Sequence, residues 1–276
     1  MTPVELRGGI WWKREDLYTL GSVNGSKLRA ARHILELHVA AGDHKVVVGA
    51  SVGAPTPAII ATLAAELGLE CEVIVGGTTP EKAVKHKPIQ IAAGAGASIS
   101  AIKVGYGPAL KKAAMIAAQE DGVFAMYGTT TDEGVEAFLA VGGAETANLP
   151  DEIETLVVPF GSANTACGVL YGLHDHRPNN LTDVHLMEIG PSRRDWARDR
   201  LASVGRTMVP DGIEVHFTTL HEVWANYGDK MPETMEDIVF HPRYEGKIIR
   251  WLNLVKPDWW TKRDGTTGFW IVGGPI

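Results

Sequence analysis

A run of small residues follows a predicted buried strand near the middle of the chain. The strand covers 155–159, and the run consists of Gly161, Ser162, Ala163, Asn164 and Thr165, after which a helical pattern begins. Backbone N–H groups at the start of a helix favour an anion, because they lack acceptors and the helix dipole is positive there. Residues 161–165 therefore predict a phosphate site, while a turn that needs small residues only for packing has the same composition. The run lacks the lysine of the nucleotide-hydrolase P-loop, which argues against an ATPase.

A lysine at the start of another helical pattern is the second feature of chemical interest. Lys27 follows Gly25 and Ser26, and residues 26–41 place apolar side chains at three- and four-residue spacing. Taken alone, such a lysine indicates a solvated surface charge. Two later segments, HPRYEGK at 241–247 and FWIVGGP at 269–275, are also weak signals by themselves. In the first of them, Glu245 suits a helix N-terminus electrostatically.

Predicted strands and helices alternate along most of the chain. The first half has strands at 45–49, 71–75, 98–104 and 123–126, and helices at 57–67, 81–93 and 108–120. The second half has helices at 132–147, 164–173, 193–204 and 244–254, and strands at 155–159, 184–189 and 269–272. Strands separated by helices of this length are typical of right-handed βαβ units in a parallel sheet that is covered on both faces. The sequence therefore predicts an α/β fold.

Length, composition and charge limit the classes of protein to which this chain can belong. The 276 residues suit one or two packed domains, and no stretch approaches the roughly 20 apolar residues of a membrane span. The net charge of -7 makes nucleic acid an unlikely general partner. The chain starts without the layout of a signal peptide and contains two cysteines, so we expect a cytoplasmic protein with no membrane association.

Taken together and in order, these segments resemble the tryptophan-synthase-β-like (fold type II) superfamily of pyridoxal-phosphate enzymes. The resemblance is strongest to its aminocyclopropane-carboxylate deaminase and D-cysteine desulfhydrase branch. The matching segments are a KRED start at 13–16, a lysine motif at 25–27, the phosphate loop at 161–165, the YEGK segment within 241–247 and a glycine turn at 272–274.

The resemblance implies a cofactor, pyridoxal 5'-phosphate, and a role for each matching residue. Lys27 would form the Schiff base with it and then move the Cα proton, which requires a lysine that loses its charge readily. Residues 161–165 would bind the phosphate, with Gly273 also in contact with the cofactor. Glu245 would face the pyridine nitrogen, where a carboxylate keeps the ring protonated and strengthens it as an electron sink. Tyr244 and Tyr227 resemble the two active-site tyrosines of the deaminase.

The chain departs from the branch at the segment that binds substrate. A Ser-Asn pair of the branch aligns with Ala54 and Pro55, so both polar side chains are absent. Substrate contacts must then come from Ser51, Ala54 or Thr56, or be lost. The Thr of the late glycine turn is Val272.

The resemblance also implies an architecture and a range of reactions. We expect a small α/β domain at 39–124, a large cofactor-binding domain at 1–38 and 125–276, and the cofactor in the interdomain cleft. The expected enzyme acts at Cα of a small amino acid or amino-acid conjugate as a deaminase or lyase, as a homodimer. Two alternatives are an α-decarboxylase and a cofactor-binding relic without turnover.

Other candidate features favour structural roles. The histidines of His174-Asp175-His176 indicate a solvated turn, so we predict no metal site. Cys167 is interpreted as a small buried residue, residues 193–200 as an exposed helix face, and Trp259-Trp260 as the edge of a core or an oligomer interface.

Overall fold

Strands and helices alternate in this computed structural model, which describes residues 1–105, 107–121, 123–127, 132–221, 223–226 and 228–275. The strands are Val4–Arg7 (β1), Ile10–Arg14 (β2), Thr19–Leu20 (β3), Val23–Asn24 (β4), Lys45–Gly49 (β5), Glu70–Gly76 (β6), Ser98–Ile102 (β7), Phe124–Tyr127 (β8), Thr155–Phe160 (β9), Asp183–Glu188 (β10), Glu214–Thr219 (β11), Thr234–Met235 (β12), Ile238–Val239 (β13) and Thr267–Ile271 (β14). The helices are Ser26–Ala41 (α1), Thr56–Leu67 (α2), Pro80–Ala83 (α3), Lys87–Gly94 (α4), Gly107–Asp121 (α5), Asp132–Ala137 (α6), Asn164–Leu173 (α7), Arg194–Ser203 (α8), Glu245–Val255 (α9) and Asp258–Thr261 (α10).

One compact unit comprises Met1–Tyr18 and Phe138–Pro275 and contains a six-stranded sheet. The strand order is β1-β2-β14-β9-β10-β11, with β1 antiparallel to β2 and the other neighbours parallel. Every residue of β9 and β14 is buried. Continuous burial is typical of parallel strands that are covered on both faces.

The second compact unit, Thr19–Ala137, contains a four-stranded parallel sheet in the order β7-β6-β5-β8. Helix α5 packs on β5, and small side chains of α5 meet Val47 and Ile74 in a buried cluster. The α/β fold with two helix-covered parallel sheets is therefore confirmed. The predicted small domain, 39–124, falls within this unit, and its boundaries remain a prediction.

Two predicted helices are interrupted. The helix expected at 81–93 forms as α3 and α4, because Pro88, in the first turn of α4, has no N–H to continue a helix from the preceding residues. The helix expected at 132–147 is α-helical only to Ala137, and it continues as a π-helical segment, Phe138–Gly142, and a 3-10 turn, Glu145–Asn148. The carbonyl of Phe138 lies so close to Gly168 of α7 that any side chain there would collide with it.

The N-terminal hairpin of β1 and β2 was not predicted. Gly8 and Gly9 form its two-residue turn, and both have positive φ, which glycine adopts without steric cost. The hairpin brings Trp12 into an aromatic core with Phe240, Trp260 and Phe269, with ring centroids 5.5 to 6.3 Å apart. The two-glycine turn was the sequence signal for it.

Among the described residues, no helix is both long enough and apolar enough to cross a membrane.

Candidate active site

Glu245 is a fully buried carboxylate at the first position of α9. Its Oε1 accepts a hydrogen bond of 2.8 Å from the backbone N–H of Val272, just after β14 ends. Its Oε2 is also buried, and it has no hydrogen-bond partner in the part of the chain that the structure describes. Burial raises the pKa of Glu245 to about 8, although the backbone amides of Val272 and Gly273 oppose the rise.

A buried acceptor without a donor is unfavourable, by about 1 to 3 kcal/mol and more for a charged group. A proton or a cationic N–H donor at Oε2 would remove that penalty. The half-buried Gly273 follows Val272 directly and lies at the same turn. The site around Glu245 therefore fits a protonated ring nitrogen of pyridoxal phosphate.

The neighbours of Glu245 in the YEGK segment have contacts that explain their types. A side chain at position 246 would collide with the carbonyl of Met231, so only glycine fits there. Lys247 is buried and donates to the carbonyl of Asn226. Tyr244 packs its ring against His241, with the centroids 4.5 Å apart. Glu245 is thus the member of the segment whose type is not accounted for by its protein contacts.

Tyr227, the other predicted tyrosine, lies outside the described residues.

Lys27 lies in the first turn of α1. Gly25, the residue before the helix, has φ 95°, a value that favours glycine and explains why this residue precedes the lysine motif. The Nζ of Lys27 donates a hydrogen bond of 3.4 Å to Oγ1 of Thr56 at the start of α2. Although the residue keeps some accessible surface, burial of its amine lowers the pKa of Lys27 to about 8. The amine can therefore become a neutral nucleophile near physiological pH.

The predicted substrate segment precedes α2. Thr56 is buried and contacts Lys27, whereas Ser51 is exposed and Ala54 half-buried. The N–H of Ala54 already donates to the carbonyl of Ser51 at 3.0 Å, and Pro55 has no N–H. The structure thus brings Thr56 to Lys27, and neither Ala54 nor Pro55 has a backbone N–H left to donate to a substrate.

The predicted phosphate loop joins β9 to α7. Ala163 and Asn164 are buried, Gly161 and Thr165 are half-buried, and Ser162 is exposed. Ala163 adopts φ 69°, which a residue with a side chain adopts only under constraint and which is common at ligand sites.

The glycines in and near this loop are of two kinds: packing requires glycine at some of these positions and not at others. Gly168 and Gly172 of α7 lie so near the carbonyls of Phe138 and Gly143 that glycine is required for packing. A Cβ at Gly161 would instead make an ordinary contact of 3.4 Å with Ile189. Packing does not explain Gly161, which favours the phosphate interpretation of the loop.

Sequence reasoning missed the backbone N–H of Val272 as the partner of Glu245. No side-chain pattern could have shown it, because the donor is a main-chain group whose position depends on the end of β14.

Comparisons with known proteins identify the family of this chain. The profile of the pyridoxal-phosphate dependent enzyme family matches residues 2–201, and the chain belongs to that family. A curated relative, the O-seryl-dTMP PLP-dependent decarboxylase of Salmonella phage ViI, is 29% identical over 334 residues, which cover 96% of this chain and 78% of that protein. Because the chain belongs to this fold-type II family, its cofactor is pyridoxal 5'-phosphate.

Solved structures show the same fold. An ACC deaminase homologue superposes with a TM-score of 0.75 at 21% identity, covering 99% of this chain and 89% of that chain. Serine racemase from Dictyostelium discoideum superposes with a TM-score of 0.62 at 15% identity, covering 99% of this chain and 92% of that one. These similarities are similarities of fold.

Proposed function

We propose that this enzyme decarboxylates the Cα of an amino-acid conjugate, with pyridoxal phosphate linked to Lys27. In this proposal Glu245 pairs with the ring nitrogen, residues 161–165 hold the phosphate and Gly273 lies against the cofactor. The observation that carries the placement of the cofactor is the buried carboxylate of Glu245, whose Oε2 needs a donor.

The bound cofactor supplies an electron sink for the pair left at Cα when a bond to that atom breaks. Glu245 strengthens the sink by holding a proton at the ring nitrogen through a charge-assisted hydrogen bond. Lys27 supplies the proton that replaces the lost carboxylate, because a pKa of about 8 lets its Nζ hold and release a proton near neutral pH. The Cα–carboxylate bond breaks, carbon dioxide leaves, and the electron pair at Cα ends in a new C–H bond.

The start of α2 favours loss of the carboxylate over its retention. An enzyme that keeps the substrate carboxylate needs donors to hold it, whereas a decarboxylase gains when a poorly solvated carboxylate becomes neutral carbon dioxide. In the branch that the chain resembles, polar residues stand at the positions of Ala54 and Pro55. The N–H of Ala54 already donates a hydrogen bond to the carbonyl of Ser51. Thr56 is left as a buried hydroxyl beside Lys27.

The substrate class follows from the phage relative, whose name specifies a serine linked through oxygen to a nucleotide. We infer that this chain also acts on an O-substituted serine or a related conjugate. The sequence led us to expect either a small amino acid or an amino-acid conjugate as the substrate, and our proposal takes the conjugate.

The test is a product analysis on the loaded enzyme with carboxyl-labelled serine, O-phosphoserine and O-seryl-dTMP. We expect labelled carbon dioxide from a conjugate, no ammonia, and one solvent deuterium at the former Cα when the reaction is run in heavy water. Lys27→Ala should release none.

Deamination or elimination is the second candidate, favoured by the YEGK segment that resembles the deaminase. Ammonia without carbon dioxide would support this candidate and overturn decarboxylation. A loaded protein whose absorption spectrum changes with none of these compounds, and which forms neither product, would support a cofactor-binding relic.

A further inference from the structure

An acidic-Val-His triplet occurs twice in the chain, once in each of two neighbouring strands. Asp183-Val-His185 begins β10, and Glu214-Val-His216 begins β11. The parallel register pairs Asp183 with Glu214 and His185 with His216. Because side chains alternate along a strand, all four fall on the same face at the edge of the six-stranded sheet.

The side-chain atoms of this cluster are close enough to share an ion. The ligand atoms of Asp183, His185 and His216 all lie within 4.8 Å of one another. The Nε2 of His216 is 2.8 Å from Oδ1 of Asp183 and 3.7 Å from Oε2 of Glu214. All are partly accessible, and Asp183 and Glu214 also line an open groove through which an ion could enter.

We propose that Asp183, His185 and His216 form a binding site for a divalent metal ion of the zinc class. Imidazole and carboxylate are the usual donors for Zn²⁺, with bonds of about 2.0 to 2.2 Å in a tetrahedral arrangement. Such bonds place neighbouring donor atoms about 3.3 Å apart, so the ligand atoms must move closer together, and the ring of His216, which stacks on that of His185 at 21°, must turn for both imidazoles to face one ion. Glu214 or a water completes the fourth position.

The surroundings of His185 support coordination. Its ring stacks between those of His216 and Trp259, with centroids 4.7 and 4.5 Å away, which holds the imidazole in place.

An ion pair between His216 and Asp183 is the simpler explanation of part of the cluster. It does not account for His185, nor for the repeat of the same triplet in register on the next strand. A metal ion would use both triplets and would tie the edge strand β11 to β10. The site therefore stabilises the sheet edge, and its existence does not depend on the reaction proposed above.

The experiment measures Zn²⁺ binding to the holoenzyme, using zinc chloride alone, by equilibrium dialysis and by the shift in melting temperature. Asp183→Asn retains an oxygen for the contact with His216 but removes the charge, and His216→Gln removes a ligand. His176→Gln removes an exposed histidine outside the cluster and serves as the matched control. Circular dichroism checks that each variant is folded.

We expect one zinc ion per chain and a higher melting temperature for the wild type and for His176→Gln. Affinity should fall at least about tenfold in Asp183→Asn and His216→Gln, and the melting temperature should no longer respond. If His216→Gln does not fold, Asp183→Asn decides alone. Absence of binding in the wild type, or equal binding by all four proteins, would overturn the proposal.

Discussion

Replacing Glu245 with glutamine should stabilise the cofactor-free enzyme, although it removes a buried residue of the candidate site. The amide keeps an oxygen for the Val272 N–H, and it has the shape of the carboxylate. Unlike the carboxylate, it carries no charge that must be neutralised when the chain folds. The usual expectation for a buried substitution is the opposite sign.

The magnitude follows from the pKa of Glu245, which folding raises from 4.5 to about 8. A carboxyl group whose pKa is raised by folding does not lower the free energy of unfolding below pH 4.5. As the pH rises from 4.5 to about 8, the free energy of unfolding falls progressively. The interval from 4.5 to pH 7 is about 2.5 pH units at about 1.4 kcal/mol each, so the loss at pH 7 is about 3 kcal/mol. This is a large fraction of the roughly 5 to 15 kcal/mol that keeps a protein folded.

The assay is urea unfolding of the cofactor-free proteins at several values between pH 5 and pH 9. Tryptophan fluorescence reports on the relevant unit, because Trp12, Trp260 and Trp270 are buried in the same unit as Glu245. We expect the two proteins to approach equal stability near pH 5 and the glutamine variant to gain with rising pH until about pH 8.

Glu145→Gln is the matched control. Glu145 is also buried, but its Oε2 lies 2.6 Å from Nζ of Lys13 and accepts from the N–H of Thr2 at 2.7 Å. Loss of that charge leaves a buried ammonium without its ionic partner, so this variant should be less stable than the wild type.

Without cofactor, Glu245→Gln should be more stable than the wild type. With cofactor bound, the wild type should be the more stable of the two, because a cationic ring nitrogen at Oε2 stabilises the carboxylate and not the amide. If the free energy of unfolding depended on pH in the same way for wild type and Glu245→Gln, the conclusion that Glu245 is a buried carboxylate with an unpartnered oxygen would be wrong. If the variant kept its advantage with cofactor bound, the ring nitrogen would not lie at Glu245.

Two further predictions concern cofactor attachment and the phosphate loop. Borohydride reduction of the loaded enzyme should leave a phosphopyridoxyl group on the Lys27 peptide, and capture of added pyridoxal phosphate should rise with pH to half its maximum near pH 8, as the lowered pKa of Lys27 requires. An adduct on another lysine would contradict the assignment, and a midpoint near 10.5 would contradict the burial of the amine. Gly161→Leu should weaken cofactor affinity in a protein that stays folded, whereas Gly172→Ala should lower the melting temperature because its Cβ meets the carbonyl of Gly143. Unchanged affinity in folded Gly161→Leu would place the phosphate elsewhere.

The local parts of the fold were predictable from the sequence. The helices Ser26–Ala41 and Asn164–Leu173 begin and end where the apolar spacing and the flanking glycine or strand predicted them. Helix periodicity and helix ends depend on neighbouring residues, so they can be recognised in a single sequence. The same holds for the order of the motifs, which identified the family and the cofactor.

The sequence also placed Lys27 and residues 161–165 at helix starts, although their roles remain predictions. It could not show that Thr56 contacts Lys27, because the two residues begin different helices. The sequence also could not show which glycines are required for packing. Packing requires Gly168 and Gly172 but does not require Gly161.

Only the tertiary structure decided the electrostatics of Glu245 and the alignment of the two acidic-Val-His triplets. The pKa of Glu245 depends on complete burial and on an N–H donor 27 residues away. The triplets are about 30 residues apart, and they become neighbours only through the register of β10 with β11. Burial and strand register are set by contacts between distant segments, and the free energy of those contacts cannot be read from the local pattern of either segment alone.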